Sequence, residues 1–105
     1  MEGDAELDYK FSYPVTRNDP EMAARALEAA RHLFGFEQVF EATQPSMAAE
    51  DFAFFLEKLP RAYIWLGTRD EEHTSSLHSP TFDFDESVLP KGTALLTALA
   101  LEVLI

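Results

Sequence analysis

Residues 5–13 alternate without a break. Ala5, Leu7, Tyr9, Phe11 and Tyr13 fall on one side, and Glu6, Asp8, Lys10 and Ser12 on the other. A period of two predicts a strand with one face buried, and Pro14 ends it. The period then becomes helical. Met22, Ala26, Ala30 and Leu33 recur at helical spacing, with Ala23, Leu27 and Phe34 alongside. Asp19 is the expected N-cap, Pro20 the first helical residue and Gly35 the stop. A short strand is expected over residues 36–40. A second helix is expected from near Ser46, with Phe52, Phe55, Leu56 and Leu59 spaced i, i+3, i+4, i+7 as core and Pro60 closing it. Tyr63-Ile64-Trp65-Leu66 is a continuous apolar run ending at Gly67, the pattern of a strand covered on both faces. After a polar loop over residues 68–76, Leu95, Leu96, Leu99, Val103 and Leu104 mark a last helix. Pro90 lacks an amide hydrogen, so a separate turn is expected over residues 86–89 and the main helix from about Lys91.

The predicted order is strand, helix, strand, helix, strand, loop, helix. That alternation implies an α/β layered domain. The chain has 105 residues, enough for one modest core, and 47% of them are hydrophobic. No internal repeat or low-complexity linker interrupts it.

Charge narrows the partners. There are 19 acidic and 8 basic residues, a net charge of −11. A surface of that sign repels nucleic acid and anionic membranes. The absence of cysteine excludes a disulfide scaffold and a thiolate zinc site. The amino terminus carries no basic and apolar leader pattern, and no apolar run approaches membrane-spanning length, so a soluble, cytoplasmic protein is the expectation.

Candidate chemistry concentrates in Leu77-His78-Ser79-Pro80-Thr81-Phe82-Asp83-Phe84-Asp85-Glu86, followed by Leu89-Pro90-Lys91-Gly92. A histidine beside a proline-fixed turn and a run of carboxylates suits a metal-ligand loop. The plainer alternative is a loop histidine hydrogen-bonded to a neighbouring carboxylate. A zinc site needs at least three protein ligands, and the chain offers only His32, His73 and His78. His32 lies within the first helix without an i+4 partner and reads as a surface or packing residue. His73 reads as a polar-loop residue. Asp83, Asp85 and Glu86 do not read as a catalytic pair: Asp83 and Asp85 frame a strand-to-helix turn, Asp85 and Glu86 sit where a helix start favours negative charge, and Glu50 and Asp51 likewise favour the start of their helix. Ser46 and Ser79 sit in no nucleophile elbow, and only 4 glycines leave no phosphate loop.

Four segments in order resemble the C-terminal end of the di-zinc metallopeptidase and aminoacylase superfamily, in its amidohydrolase branch of hippurate, N-acyl-amino-acid and indole-acetyl-amino-acid hydrolases. They are Tyr13-Pro14-Val15-Thr16 with Asn18-Asp19, then Ala49-Glu50-Asp51-Phe52-Ala53, then Pro60 to Gly67, and finally the His78 segment. The resemblance implies that residues 1–16 are a terminal strand like the exit of the family's inserted lid or dimerisation domain. It implies that residues 17–105 are the C-terminal part of the catalytic α/β domain. It further implies amide hydrolysis by two divalent metals, zinc or manganese, with His78 as one ligand. The other ligands and the general base come from family segments with no counterpart in this chain. Arg61 stands where the family usually has glycine. Two functions follow as expectations: a partial amidohydrolase, inactive alone, or a non-catalytic binding or oligomerisation module derived from such a tail. The expected partners are a missing N-terminal segment or further copies of the chain, joined through an exposed sheet edge or apolar face.

Overall fold

Helix α1, Pro20–Phe34, begins where its sequence says it should. The Asp19 carboxylate accepts the Met22 amide hydrogen at 3.0 Å, Pro20 occupies the first turn, and the chain leaves at Gly35 with φ 85°. That left-handed φ is accessible to glycine at little cost. The computed structural model describes residues 2–104. A short 3-10 turn, Phe36–Gln38, follows α1. Helix α2 is Phe52–Lys58, and a second 3-10 turn, Glu86–Val88, leads directly into helix α3, Leu89–Leu104. Pro90 sits in the first turn of α3, where a missing amide hydrogen costs nothing. The separate turn expected before α3 is present. The expected start of α2 near Ser46 is six residues early.

The expected α/β layering is not what the chain adopts. Among the described residues there is no strand and no sheet. Residues 5–13, 39–40 and 63–66 lack helical structure, but none is laid beside another to form a ladder, and residues 36–38 make a 3-10 turn instead. Alternation of side chains does not make a strand; the amide and carbonyl groups must also meet a neighbour about 4.8 Å away.

The core is the α1–α3 contact. Ala29, Ala30 and Leu95 are buried together, with Phe34, Val39 and Leu99 packed against them. The small residues of α1 let α3 approach closely. The buried face of α1 is Ala26, Ala29 and Ala30; Leu33, expected on the core stripe, is exposed. In α2 the buried residue is Ala53, while Phe54 and Phe55, and Leu59 just after the helix, remain about half exposed. The expected Phe52, Phe55, Leu56 core is thus half open. Leu96, Val103 and Leu104 of α3 also face outward.

This openness is large. The chain exposes 9518 Å², where a compact monomer of 11.8 kDa exposes roughly 5,900 Å². Its radius of gyration is 18.2 Å, against about 13 Å for a compact chain of this length. Leu7, Tyr9, Phe11, Tyr13 and Val15 form one run of exposed apolar side chains; Phe11 is 93% exposed. The 19 residues Glu86–Leu104 are also long and apolar enough, by length and composition, to cross a membrane. That corrects the expectation that no segment approaches this length.

Two side chains tie the extended segments to the helices. Asn18 donates through Nδ2 to the Tyr63 carbonyl at 3.0 Å and accepts the Tyr63 amide hydrogen through Oδ1 at 2.8 Å. One amide side chain thereby satisfies both backbone groups of Tyr63, as a neighbouring strand would. The Asp19 amide adds a bond to the Arg61 carbonyl at 2.9 Å. Arg61, the departure from the family pattern, lays its guanidinium 5.3 Å from the Phe55 ring centre.

Gly92 is the close approach between α3 and residues 63–67. A Cβ there would stand 3.1 Å from Leu66 Cδ2. Leu66 is partly exposed, so its side-chain tip has room to move. Gly92→Ala is therefore expected to stabilise the chain, by up to about 1 kcal/mol from helix propensity. Thermal unfolding followed by circular dichroism checks this; a lower midpoint would mean that Leu66 is locked in place.

Candidate metal-ligand loop

The segment between Thr68 and Asp85 leaves and returns to nearly the same point. Its base is closed by the Asp85 amide donating to the Thr68 carbonyl at 2.9 Å. The run Asp70-x-x-His73 folds the outgoing arm onto itself. Asp70 Oδ1 accepts the Glu72 and His73 amide hydrogens at 2.9 and 2.7 Å, an aspartate-anchored turn of the kind short carboxylates favour. At the far end, the hydroxyls of Ser75 and Thr81 are 2.9 Å apart and those of Ser79 and Thr81 3.1 Å apart. Asp85 then caps the following turn by accepting the Ser87 amide at 3.0 Å and the Ser87 hydroxyl at 2.6 Å. The helix-start role expected for Asp85 is thus its observed one.

His78 stands at the tip of this loop. It is exposed and has φ 63°. Among the described residues it is the non-glycine residue in the left-handed region, a conformation that costs on the order of 1 kcal/mol and gathers at ligand-holding positions. The Ser79 amide bonds back to the Ser76 carbonyl at 3.2 Å and the Phe82 amide to the Ser79 carbonyl at 3.0 Å, so tight turns on both sides impose that geometry. Its imidazole makes no hydrogen bond to another described residue. A free, outward imidazole suits a metal ligand. A metal centre is not complete here, however: among the described residues no group of three His, Cys, Asp or Glu side chains is placed to hold an ion. One imidazole does not fit a zinc ion alone.

The histidine engaged by carboxylates is His73, not His78. His73 Nδ1 is 2.7 Å from Asp70 Oδ1, and its Nε2 is 3.7 Å from Asp83 Oδ2. The hydrogen bond to Asp70 raises its pKa above the ordinary histidine value; partial burial opposes this, and the charges of Asp70, Asp83 and Glu72 add to the rise. Burial is also the largest influence on Asp70 and pushes it up, but the hydrogen bonds from the His73 amide, the His73 ring and the Glu72 amide together hold it below the usual carboxylate range. Asp70 and His73 are three residues apart, a local signal the sequence carries; the contact to Asp83 closes only when the loop does. His32 lies exposed on α1, away from this loop in sequence and contacts.

A second polar cluster sits at the start of α2. The Tyr63 hydroxyl donates to Glu50 Oε2 at 3.1 Å. A side-chain hydrogen bond between Glu50 and Asp51 raises Asp51, with the Glu50 charge contributing, and the same bond lowers Glu50, helped by the Phe52 amide and Tyr63. Desolvation first, then the bond to Glu50, raises the Tyr63 phenol. The cluster joins the start of α2 to Tyr63.

The chain belongs to peptidase family M20/M25/M40, whose model matches residues 3–102, and it falls in the amidohydrolase branch of that family of metal-dependent hydrolases. It is 36% identical to IAA-amino acid hydrolase ILR1-like 2 of Arabidopsis thaliana over 87% of the chain and 21% of that protein. It is 35% identical to hippurate hydrolase of Campylobacter jejuni over 87% of the chain and 23% of that protein. A Rhodococcus jostii protein named as a glutamate–cysteine ligase, 2-3, is 41% identical over 90% of the chain and 12% of its own length. The chain thus spans from about an eighth to under a quarter of these relatives. No solved structure matches.

Proposed function

We propose that this chain is one part of a metal-dependent amide hydrolase and contributes His78 as a single ligand to a divalent metal, zinc or manganese, at a centre completed by other polypeptide. The observation that carries this is the free imidazole held in a left-handed conformation at the tip of a cross-linked loop. The substrate class is N-acyl amino acids or small peptides, after the names of the relatives. Among the described residues no three-donor cluster accompanies His78, so the chain alone is expected to hydrolyse nothing. The chain exposes roughly 3,600 Å² more than a compact monomer, from the two areas given above, surface that a partner would cover. Its occupant in the working enzyme is the remainder of the catalytic domain.

A second reading, a non-catalytic module, is favoured by the lack of a three-donor cluster. Metal content separates the two. The purified chain and His78→Gly are each equilibrated with zinc, alone and with a polypeptide carrying the remaining family segments, and analysed by elemental analysis. Glycine is chosen because it tolerates the backbone at position 78 without strain. The expected result is zinc retained only by the complemented chain, with the share due to His78 lost in the variant and hydrolysis of an N-acyl amino acid falling at least a hundredfold. Equal zinc and equal activity in both complemented samples would refute the ligand role; no zinc in either would favour the module.

A further inference from the structure

The loop that presents His78 carries a second histidine which the metal chemistry does not use. His73 lies on the outgoing arm, and its ring points one nitrogen at Asp70 on that arm and the other at Asp83 on the returning arm, at 2.7 and 3.7 Å. The ring is about three-quarters shielded from solvent. The acidic groups facing it are Asp70 and Glu72 from its own arm and Asp83 from the other; neighbouring Arg69 is engaged elsewhere, donating to the Thr74 carbonyl at 2.8 Å. Asp83 Oδ1 accepts the amide hydrogen of the next residue, Phe84, at 2.8 Å. The cross-link therefore falls between the backbone closure at Thr68 and Asp85 and the hydroxyl pair of Ser75 and Thr81.

We propose that His73 is a positioning residue: as an imidazolium bridging Asp70 and Asp83 it clamps the two arms of the loop and so holds the His78 backbone in its left-handed conformation, ready to ligate. The proposal rests on the reading of His78 as a ligand. It gives the two histidines of one loop separate tasks, with His73 charged to hold the arms and His78 presented to the metal. The sign follows from the raised pKa of His73. A raised value means that the protonated form is favoured in the folded loop, so the clamp is fully present below the ordinary histidine value and is lost as pH rises through the raised one.

Nuclear magnetic resonance on the full chain tests it, comparing the native protein, His73→Gln and His73→Arg. The arginine keeps a cation between the two carboxylates at every accessible pH. Three quantities are read: the His73 titration, the exchange protection of the Phe82 and Asp85 amides corrected for the intrinsic effect of pH, and the amide–Hα coupling of His78, which reports its φ. The native loop is expected to lose protection by up to about fivefold as His73 deprotonates, the size of an exposed charge pair. His73→Gln should be loose at every pH, and His73→Arg protected and insensitive to pH. A native His73 that titrates at about 6.5, or a His73→Gln loop with native protection and His78 coupling, would overturn the clamp. Zinc retention unaffected by His78→Gly would sink the ligand role and leave the clamp standing, so the two can fail separately.

Discussion

Leu95→Ala is expected to lower stability by about 2–3 kcal/mol, which for a chain of this size is a fall in Tm of about 10–20 °C. Leu95 is 8% exposed and is the large side chain among the five buried hydrophobics, the other four being alanines. Its methyl groups fill the space that Ala29 and Ala30 leave between α1 and α3, with Phe34, Val39 and Leu99 at the margin. Alanine-lined contacts cannot close around a lost isobutyl group without moving a helix, so a cavity or a shift of α3 must follow. Leu96, the next residue, points away and is 68% exposed; Leu96→Ala should change stability by no more than about 0.5 kcal/mol in dilute solution. Urea unfolding followed by circular dichroism, at two protein concentrations, distinguishes them. The Leu95 effect should be the same at both concentrations, because it is internal to one chain. Equal losses for the two variants would mean that α3 is buried on another face.

The second large effect is association. In light scattering after gel filtration, the isolated chain is expected to show a mass well above 11.8 kDa that rises with concentration. Its apolar side chains are exposed in several places: Leu7 to Val15 along the amino-terminal segment, Phe54 and Phe55 on α2 with Leu59 just after it, and Leu96, Leu101, Val103 and Leu104 on α3. Patches of that extent associate unless covered. The net charge of −11 opposes like copies, so raising salt should screen the repulsion and increase the mass. Adding the complementing polypeptide should compete with self-association and lower it. A monomer at millimolar concentration in high salt would refute the claim that these surfaces need cover.

Where the chain's own residues carried enough information, the sequence was legible. Asp19, Pro20 and Gly35 bound α1 because capping is decided within four residues. The turn at residues 86–88 before α3 follows from Pro90 and Asp85 for the same reason. His78 stood out through the proline turn beside it. Its left-handed φ was not readable, since that depends on two turns and on contacts between the arms of the loop. The Asn18 bond to Tyr63 spans 45 residues and leaves no local mark; the same is true of the Asp83 contact to His73.

The sequence by itself determined α1 with its caps, the turn that leads into α3, the family and the histidine presented by the loop. Each is set by interactions within a turn or by a matched run of residues. Tertiary structure alone decided what the apolar patterns do. Residues 5–13 and 63–66 have the period and composition of strands, yet neither joins a ladder, and the Phe52, Phe55, Leu56 stripe stays half open. The physical reason is that a hydrophobic pattern states only that a face prefers to be covered, and a strand only that its backbone wants a neighbour. Whether a cover or a neighbour is present is a property of the assembled chain.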